Sequence, residues 1–296
     1  LAIQLTGKDA FSLMDYFNGE KDLKDKMIRV LHNLSFIEDP CRIFRAIRFE
    51  QRHGFQIGKQ TEAFMRTAVK KRLVDELSGS RFLNELVLIL KEDRPVACIR
   101  RMMEFSLLQF ISPRMLADAS SLEALERVRD VLSWAKMVPF VKPPESWFVY
   151  FMGLFCGLDG KTVSQALDRL RLPMRLRKRL ETDMENCKTA VKQLAGKKQL
   201  APAEIYEIFS GLSPEAIVLM LALMADDRVN NHATLYLTQY HDLGKLSLTG
   251  DDLIRMGVKP GPVFQTIFKT LRDARVEGRI KSKQDEMSLV QKQFLK

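Results

Sequence analysis

Asp39, Arg42, Arg45 and Arg48 recur every third residue in the stretch F-I-E-D-P-C-R-I-F-R-A-I-R-F, which runs from Phe36 to Phe49. Residues three apart share one face of a helix, so the four charged groups would line a single stripe. Ile43, Phe44, Ile47 and Phe49 would bury the other side. A carboxylate beside a guanidinium offers one acceptor and several donors in nearly fixed geometry. On their Watson–Crick edges, cytosine and adenine each present an exocyclic amino donor next to a ring-nitrogen acceptor, whereas guanine and uracil present a carbonyl and a ring N–H. An Asp and Arg pair therefore matches C and A and mismatches G and U, at about 1–3 kcal/mol for each unmet group. The same residues also fit a plainer reading, an Asp N-cap followed by solvated arginines.

Such a stripe needs a helix of fixed register, and Pro40 provides one. Proline is tolerated only in the first turn, where the backbone N–H has no intrahelical partner, so Asp39 is expected at the N-cap or close to it. From Asp39 onward the apolar spacing is helical almost without interruption, over 39–53, 60–70, 79–92, 95–105, 120–137, 145–158, 161–171, 174–194, 202–209, 213–224 and 226–243. Pro, Gly and polar residues break it at Val138–Glu145, Ala195–Pro202 and Leu246–Asp252. Only the first residues differ, with strand-like Leu1–Leu5 and Ile28–Leu31 around a turn at Asp15–Gly19. The expected fold is mainly α, multi-helical, with a short α/β remnant at the N-terminus. No short repeat points to a regular solenoid.

A length of 296 residues fits two or three modules rather than one small core. The excess of 47 Lys and Arg over 37 Asp and Glu points to a polyanionic partner. Cys41, Cys98, Cys156 and Cys187 lie far apart among apolar residues, as reduced buried thiols do, and a cytoplasmic location is expected. No apolar run reaches the roughly 18 residues of a membrane span and no signal-peptide pattern opens the chain, so no membrane partner is expected. The apolar start at Leu1, without partner strands upstream, reads as a piece that begins inside a domain.

The segment R-V-L-H-N-L-S-F-I-E-D-P-C-R-I-F-R-A-I-R-F, continuing through Q-R-H-G-F, resembles the class II tRNA nucleotidyltransferase and poly(A) polymerase family of bacteria, the CCA-adding or A-adding type. Glu38, Asp39 and Arg42 match its E-D-x-x-R motif. The resemblance implies that Asp39 and Arg42 template the incoming base, while Arg45 and Arg48 contact the nucleotide at its triphosphate. Asp15-x-x-x-Gly19-x-x-Asp22-Leu23 is similar to the segment that joins the family's catalytic head to its neck. S-G-S-R-F-L-N-E-L at Ser78–Leu86 is similar to the following neck motif, with Arg81 and Glu85 bracing the template helix. L-T-G-D-D-L-I-R-M-G-V-K-P-G-P at Leu248–Pro262 resembles the family's tail. The implied organisation is a head remnant over 1–33, a neck over 34–95, a helical body over 96–245 and a basic tRNA-binding tail over 246–296.

In that family an RNA 3′-hydroxyl attacks the α-phosphate of ATP or CTP, with Mg²⁺ held by an Asp-x-Asp pair. This sequence contains no Asp-x-Asp. The nearest approach, Asp183-Met184-Glu185, lies mid-helix without a Gly-rich turn and reads as a solvated face. No catalytic or metal-ligating residue is therefore expected in the chain, and it is expected to perform no turnover alone. The alternative is a noncatalytic helical RNA-binding protein derived from the family. Between CCA addition, A addition and poly(A) synthesis, the F-E-Q-R wording after the stripe leans towards A addition.

Two basic regions are candidates for the RNA. Arg169, Arg171, Arg175, Arg177, Lys178 and Arg179 cluster around a helix break at Pro173 and could follow a phosphate backbone, or equally line a solvated hairpin. In the tail, Gly257, Lys259 and Gly261 precede a helix that opens near Pro262, and Lys269, Arg272, Arg275, Arg279, Lys281 and Lys283 extend the charge. Family resemblance implies that body and tail grip tRNA by shape. Other features have plainer readings. His241-Asp242 resembles part of a phosphohydrolase motif, but His32, His53 and His232 stand at no fitting spacing. Trp134, Trp147 and Phe148 suit inter-helix packing, and Met102, Met103, Met220 and Met224 suit core filling.

Overall fold

The helical periodicity carries through into the computed structural model, which describes residues 1–115, 119–196 and 199–295. Two compact units emerge, Leu1–Glu126 with Ser146–Lys178, and Arg127–Glu145 with Arg179–Lys296. Two of the boundaries fall inside long helices, Ala119–Ala135 and Met174–Leu194.

In the first unit the chain forms β1 (Ala2–Ile3), β2 (Leu13–Met14), α1 (Gly19–Lys24), β3 (Met27–Ile28), α2 (Ser35–Glu38), α3 (Cys41–His53), β4 (Gln56–Ile57), α4 (Lys59–Lys70), α5 (Gly79–Leu90) and α6 (Pro95–Glu104). It continues into α7 (Ala119–Ala135), α8 (Ser146–Leu154), α9 (Gly160–Arg169) and α10 (Met174–Leu194). β1 pairs antiparallel with β2, and β3 pairs parallel with β4, Met27 opposite Gln56 and Ile28 opposite Ile57. The turn expected at Asp15–Gly19 is held by the Asp15 carboxylate, which accepts the N–H groups of Gly19 and Glu20, each at 2.9 Å.

α3 begins two residues later than its apolar pattern, at Cys41, and stops at Gly54, whose φ of 64° is the left-handed cap that glycine adopts without penalty. Ile43, Phe44 and Ile47 are fully buried, while Phe49 is only half-buried. Phe44 meets Phe82 of α5 edge to face at 4.9 Å, and Phe82 stacks on Phe110 at 4.4 Å. This aromatic column is the floor on which the stripe rests. α5 is capped by Ser78, whose hydroxyl accepts the N–H of Arg81.

The second unit adds α11 (Pro202–Ser210), α12 (Pro214–Met224), α13 (Asp227–Leu235), a π-turn over Tyr236–Tyr240, α14 (His241–Leu243), α15 (Gly250–Arg255), α16 (Val263–Val276) and α17 (Lys283–Phe294). The last three enclose a small core of Leu248, Leu253, Val258, Ile267, Leu271 and Val290. Thr249 with Asp252, and Ser282 with Asp285, form reciprocal capping boxes that start α15 and α17.

Asp183 corrects the solvated reading of Asp183-Met184-Glu185. Asp183 and Met184 are buried, only 7% exposed, and Glu185 alone faces solvent. Burial pushes the Asp183 carboxyl up, with Arg179 at 3.9 Å partly offsetting it. Trp147 packs on Phe148 and Phe151, and Trp134 on Phe140, as packing residues do. Among the described residues, no single helix is long and apolar enough to cross a membrane.

Candidate nucleotide and RNA site

α2 ends at Asp39, whose backbone is extended, and Pro40 rather than Asp39 occupies the N-cap of α3. Asp39 still caps the helix from one position earlier, since its Oδ1 accepts the N–H of Cys41 at 3.0 Å. The same oxygen accepts from Nη2 of Arg81 at 2.9 Å, across 42 residues of sequence. That bond ties the stripe to the first turn of α5 and fixes the orientation of a carboxylate that stays 27% exposed. A positioned, partly solvated acceptor can meet an amino group without first paying the cost of full desolvation.

Arg42 donates from Nη1 to the carbonyl of Ser35 at 3.2 Å and lies 3.5 Å from Glu38, which also approaches His32 at 3.5 Å. Glu38 thus steadies Arg42 from the preceding turn. Arg45 is exposed and has no ion pair among the described residues. Arg48 differs from its neighbours: its side chain is 13% exposed, pairs with Glu92 at 3.0 Å and leans over the ring of Phe49 at 4.7 Å. It is already neutralised where the sequence places a free cation. Glu85 lies within the field of Arg45, Arg48, Arg81 and Asp39; burial pushes its carboxyl up and the guanidinium groups of Arg45 and Arg48 draw it back. So the stripe divides, among the described residues, into a tethered pair, Asp39 with Arg42, one cation without an ion pair, Arg45, and one paired cation, Arg48.

Sequence reasoning missed what anchors the other end of α3. Glu50, buried on the same face as Ile43 and Ile47, receives Nε of Arg101 at 2.9 Å. Arg101 also reaches Glu62 at 3.2 Å and Glu104 at 2.5 Å, linking α3, α4 and α6. The available signal was an acid three residues beyond Ile47 on an apolar stripe, a position that requires a buried partner.

The basic cluster around Pro173 also divides. Arg171, Arg175 and Lys178 are exposed. Arg169 is exposed but held, 3.3 Å from Asp75 and over the ring of Phe110 at 4.3 Å. Arg177 turns inward to Asp168 and to Ser164 at 2.7 Å, and Arg179 pairs with Glu145 at 2.8 Å and the buried Glu215 at 2.9 Å. In the tail, Lys259 is exposed and Arg272 half-buried. Arg275 contacts Glu286, a carboxylate with no exposed surface that also accepts the N–H of Leu248 at 2.8 Å. Arg275 and Arg177 therefore serve the fold first, whereas Arg171, Arg175, Lys178 and Lys259 present their charge outward.

The family resemblance implies Mg²⁺. With no Asp-x-Asp in the sequence and no group of three His, Cys, Asp or Glu able to hold a metal among the described residues, the chain's own side chains do not fit that ion.

Residues 54–118 match a family profile described as the probable RNA and SrmB-binding site of polymerase A. An A-adding tRNA nucleotidyltransferase of Geobacter sulfurreducens is 38% identical over 98% of this chain and 33% of that protein, so the chain spans about a third of that relative's length. The Thermotoga maritima CCA-adding enzyme complexed with tRNA superposes with a TM-score of 0.81 at 27% identity, covering 97% of this chain and 69% of that one. A CCA-adding enzyme complexed with ATP gives 0.80 at 27% identity, covering 99% and 69%. With the E-D-x-x-R motif held in place by the Ser78–Leu86 motif, the chain belongs to the class II tRNA nucleotidyltransferase and poly(A) polymerase family.

Proposed function

We propose that this chain is the base-selecting and RNA-binding portion of an enzyme that adds nucleotides to the 3′ end of tRNA. The observation that carries this reading is the Asp39 carboxylate, oriented by Arg81 and followed one turn later by Arg42. Asp39 accepts the amino group of adenine or cytosine, and Arg42 donates to the neighbouring ring nitrogen. Guanine and uracil would set a carbonyl against the carboxylate, which costs about 1–3 kcal/mol. Arg45 meets the triphosphate. ATP is the substrate, and CTP where C is also added; the A-adding relative supports addition of A. Without a metal pair of its own the chain performs no turnover alone, and its setting is cytoplasmic.

Arg171, Arg175, Lys178 and Lys259 bind the phosphate backbone of tRNA, the partner named for a solved neighbour. The test is binding of the purified chain to tRNA across a salt series, with an unrelated single strand as comparison. Micromolar or tighter binding to tRNA that weakens steeply with salt is the expected result, because each phosphate contact releases a counterion. Equal affinity for the unrelated strand, or none for tRNA at low salt, would remove the RNA-gripping role.

A further inference from the structure

Past the reader, at the C-terminal end of α3, the first unit holds a polar cleft that the base-templating role leaves unused. It consists of two pockets that share Arg52, His53, Glu92 and Asp93, with Arg94 completing one and Arg48 and Lys91 the other. Four permanent cations thus face two carboxylates. One of those, Glu92, is already engaged by Arg48 at 3.0 Å and Arg52 at 3.6 Å. Arg48 still has a buried Nε with no hydrogen-bond partner among the described residues. The balance of the cleft is positive, and its donors outnumber its acceptors.

Aromatic rings rise beside this charge. His53 stacks on Phe49, with centroids 6.0 Å apart, and tilts against Phe55 at 5.5 Å; His53 itself is exposed. Cations that hold phosphates next to rings that accept base faces are the combination by which proteins bind single-stranded nucleic acid. A duplex cannot use the rings, because its base faces are occupied by stacking.

We propose that this cleft binds a phosphate of the single-stranded 3′ segment of the RNA, with the His53 ring accepting a base face; the inference rests on the RNA-binding reading above. A second source of the same chemistry is free pyrophosphate, and the experiment separates the two. Anisotropy would be measured for the whole chain and its Arg52→Gln/Arg94→Gln variant, across salt, with tRNA ending in CC and with tRNA trimmed of its single-stranded end. Thermal unfolding of the variant checks its fold, and Lys91→Gln, on the α5 side of the cleft, gives an independent measure.

For tRNA ending in CC, the salt slope should fall by roughly 0.7 for each cation removed. Between about 50 and 200 mM salt the double variant would then lose roughly sevenfold less affinity than the parent chain. Trimmed tRNA should bind parent and variant alike. Equal slopes for the untrimmed tRNA would overturn the site while leaving the RNA reading intact. So would a difference that persists after trimming, or full displacement of the CC end by millimolar pyrophosphate. Absence of tRNA binding by the parent chain would remove both readings.

Discussion

Gly79→Ala is expected to lower stability by about 3 kcal/mol or more and the melting temperature of its unit by roughly 6–12 °C. A Cβ at this position would lie 1.9 Å from the carbonyl oxygen of Arg169 and 2.8 Å from the carbonyl carbon of Leu170. Both are backbone atoms, so no rotamer change relieves the overlap, and the end of α9 must move away from the start of α5. Gly79 lies two residues before Arg81, the donor that holds Asp39. A displacement that separates α5 from α9 therefore reaches the Arg81–Asp39 bond as well as the fold. Calorimetry on the purified variant checks this, and a melting temperature within about 1 °C of the parent would show that the two backbones do not make this contact in solution.

Arg101→Ala should cost about 3–5 kcal/mol, since it leaves Glu50 buried without its partner. The Glu50 side chain is 11% exposed and that of Arg101 18%. Replacing both by apolar residues, as Glu50→Leu with Arg101→Met, should recover much of that loss, because the expense arises from an unpaired buried charge rather than from absence of the pair. Acid titration gives a second signature. The Glu62 carboxyl is held below its ordinary value of 4.5, chiefly by its hydrogen bond from Arg66 and then by Arg101. With the folded value below the unfolded one, this contribution is complete above pH 4.5 and is lost as pH falls through the folded value. Arg101→Ala should show less of that acid loss. Chemical denaturation of the single and double variants at neutral and acid pH measures both effects, and a single variant as stable as the parent would mean that Glu50 finds water or another donor.

The contrast between these two sites shows what a sequence exposes. The helices over 59–104 follow directly from apolar spacing, and the bounds of α10 match that spacing at both ends. Pro40 indicated where α3 begins, and Asp39 lies close to the cap as expected, bonding to the Cys41 N–H from one position before it while Pro40 takes the N-cap itself. The pairing of β3 with β4 was hidden, since strands of two residues carry no periodicity and meet only through the fold. α15 and α17 also escaped the pattern: α15 has six residues and one fully buried side chain, and α17 buries a glutamate, Glu286. At the site, charge type was legible and charge partner was not. Arg45, Arg48 and Arg177 look alike in sequence, yet one is free, one pairs with Glu92 and one turns to Asp168.

The arrangement around α3 joins these observations into one account. Arg81 holds its first turn, Arg101 holds its last, and Arg48 ties its middle to Glu92 near the end of α5. A reader that discriminates by one or two hydrogen bonds must keep its donors and acceptors in register, since a carboxylate free to rotate would accommodate either base edge. Most of the charged groups on this helix are therefore spent on holding it still.

The central claim is that Asp39 and Arg42 choose the base. The most direct measurement joins this chain to a nucleotidyltransferase catalytic domain of its family and compares incorporation of all four nucleoside triphosphates onto tRNA ending in CC, with and without Asp39→Ala. The account predicts that the parent strongly prefers A over G and U, and that the variant loses roughly five- to 150-fold of that preference, the equivalent of about 1–3 kcal/mol. The same preference in parent and variant would contradict it and leave Asp39 as a helix cap alone.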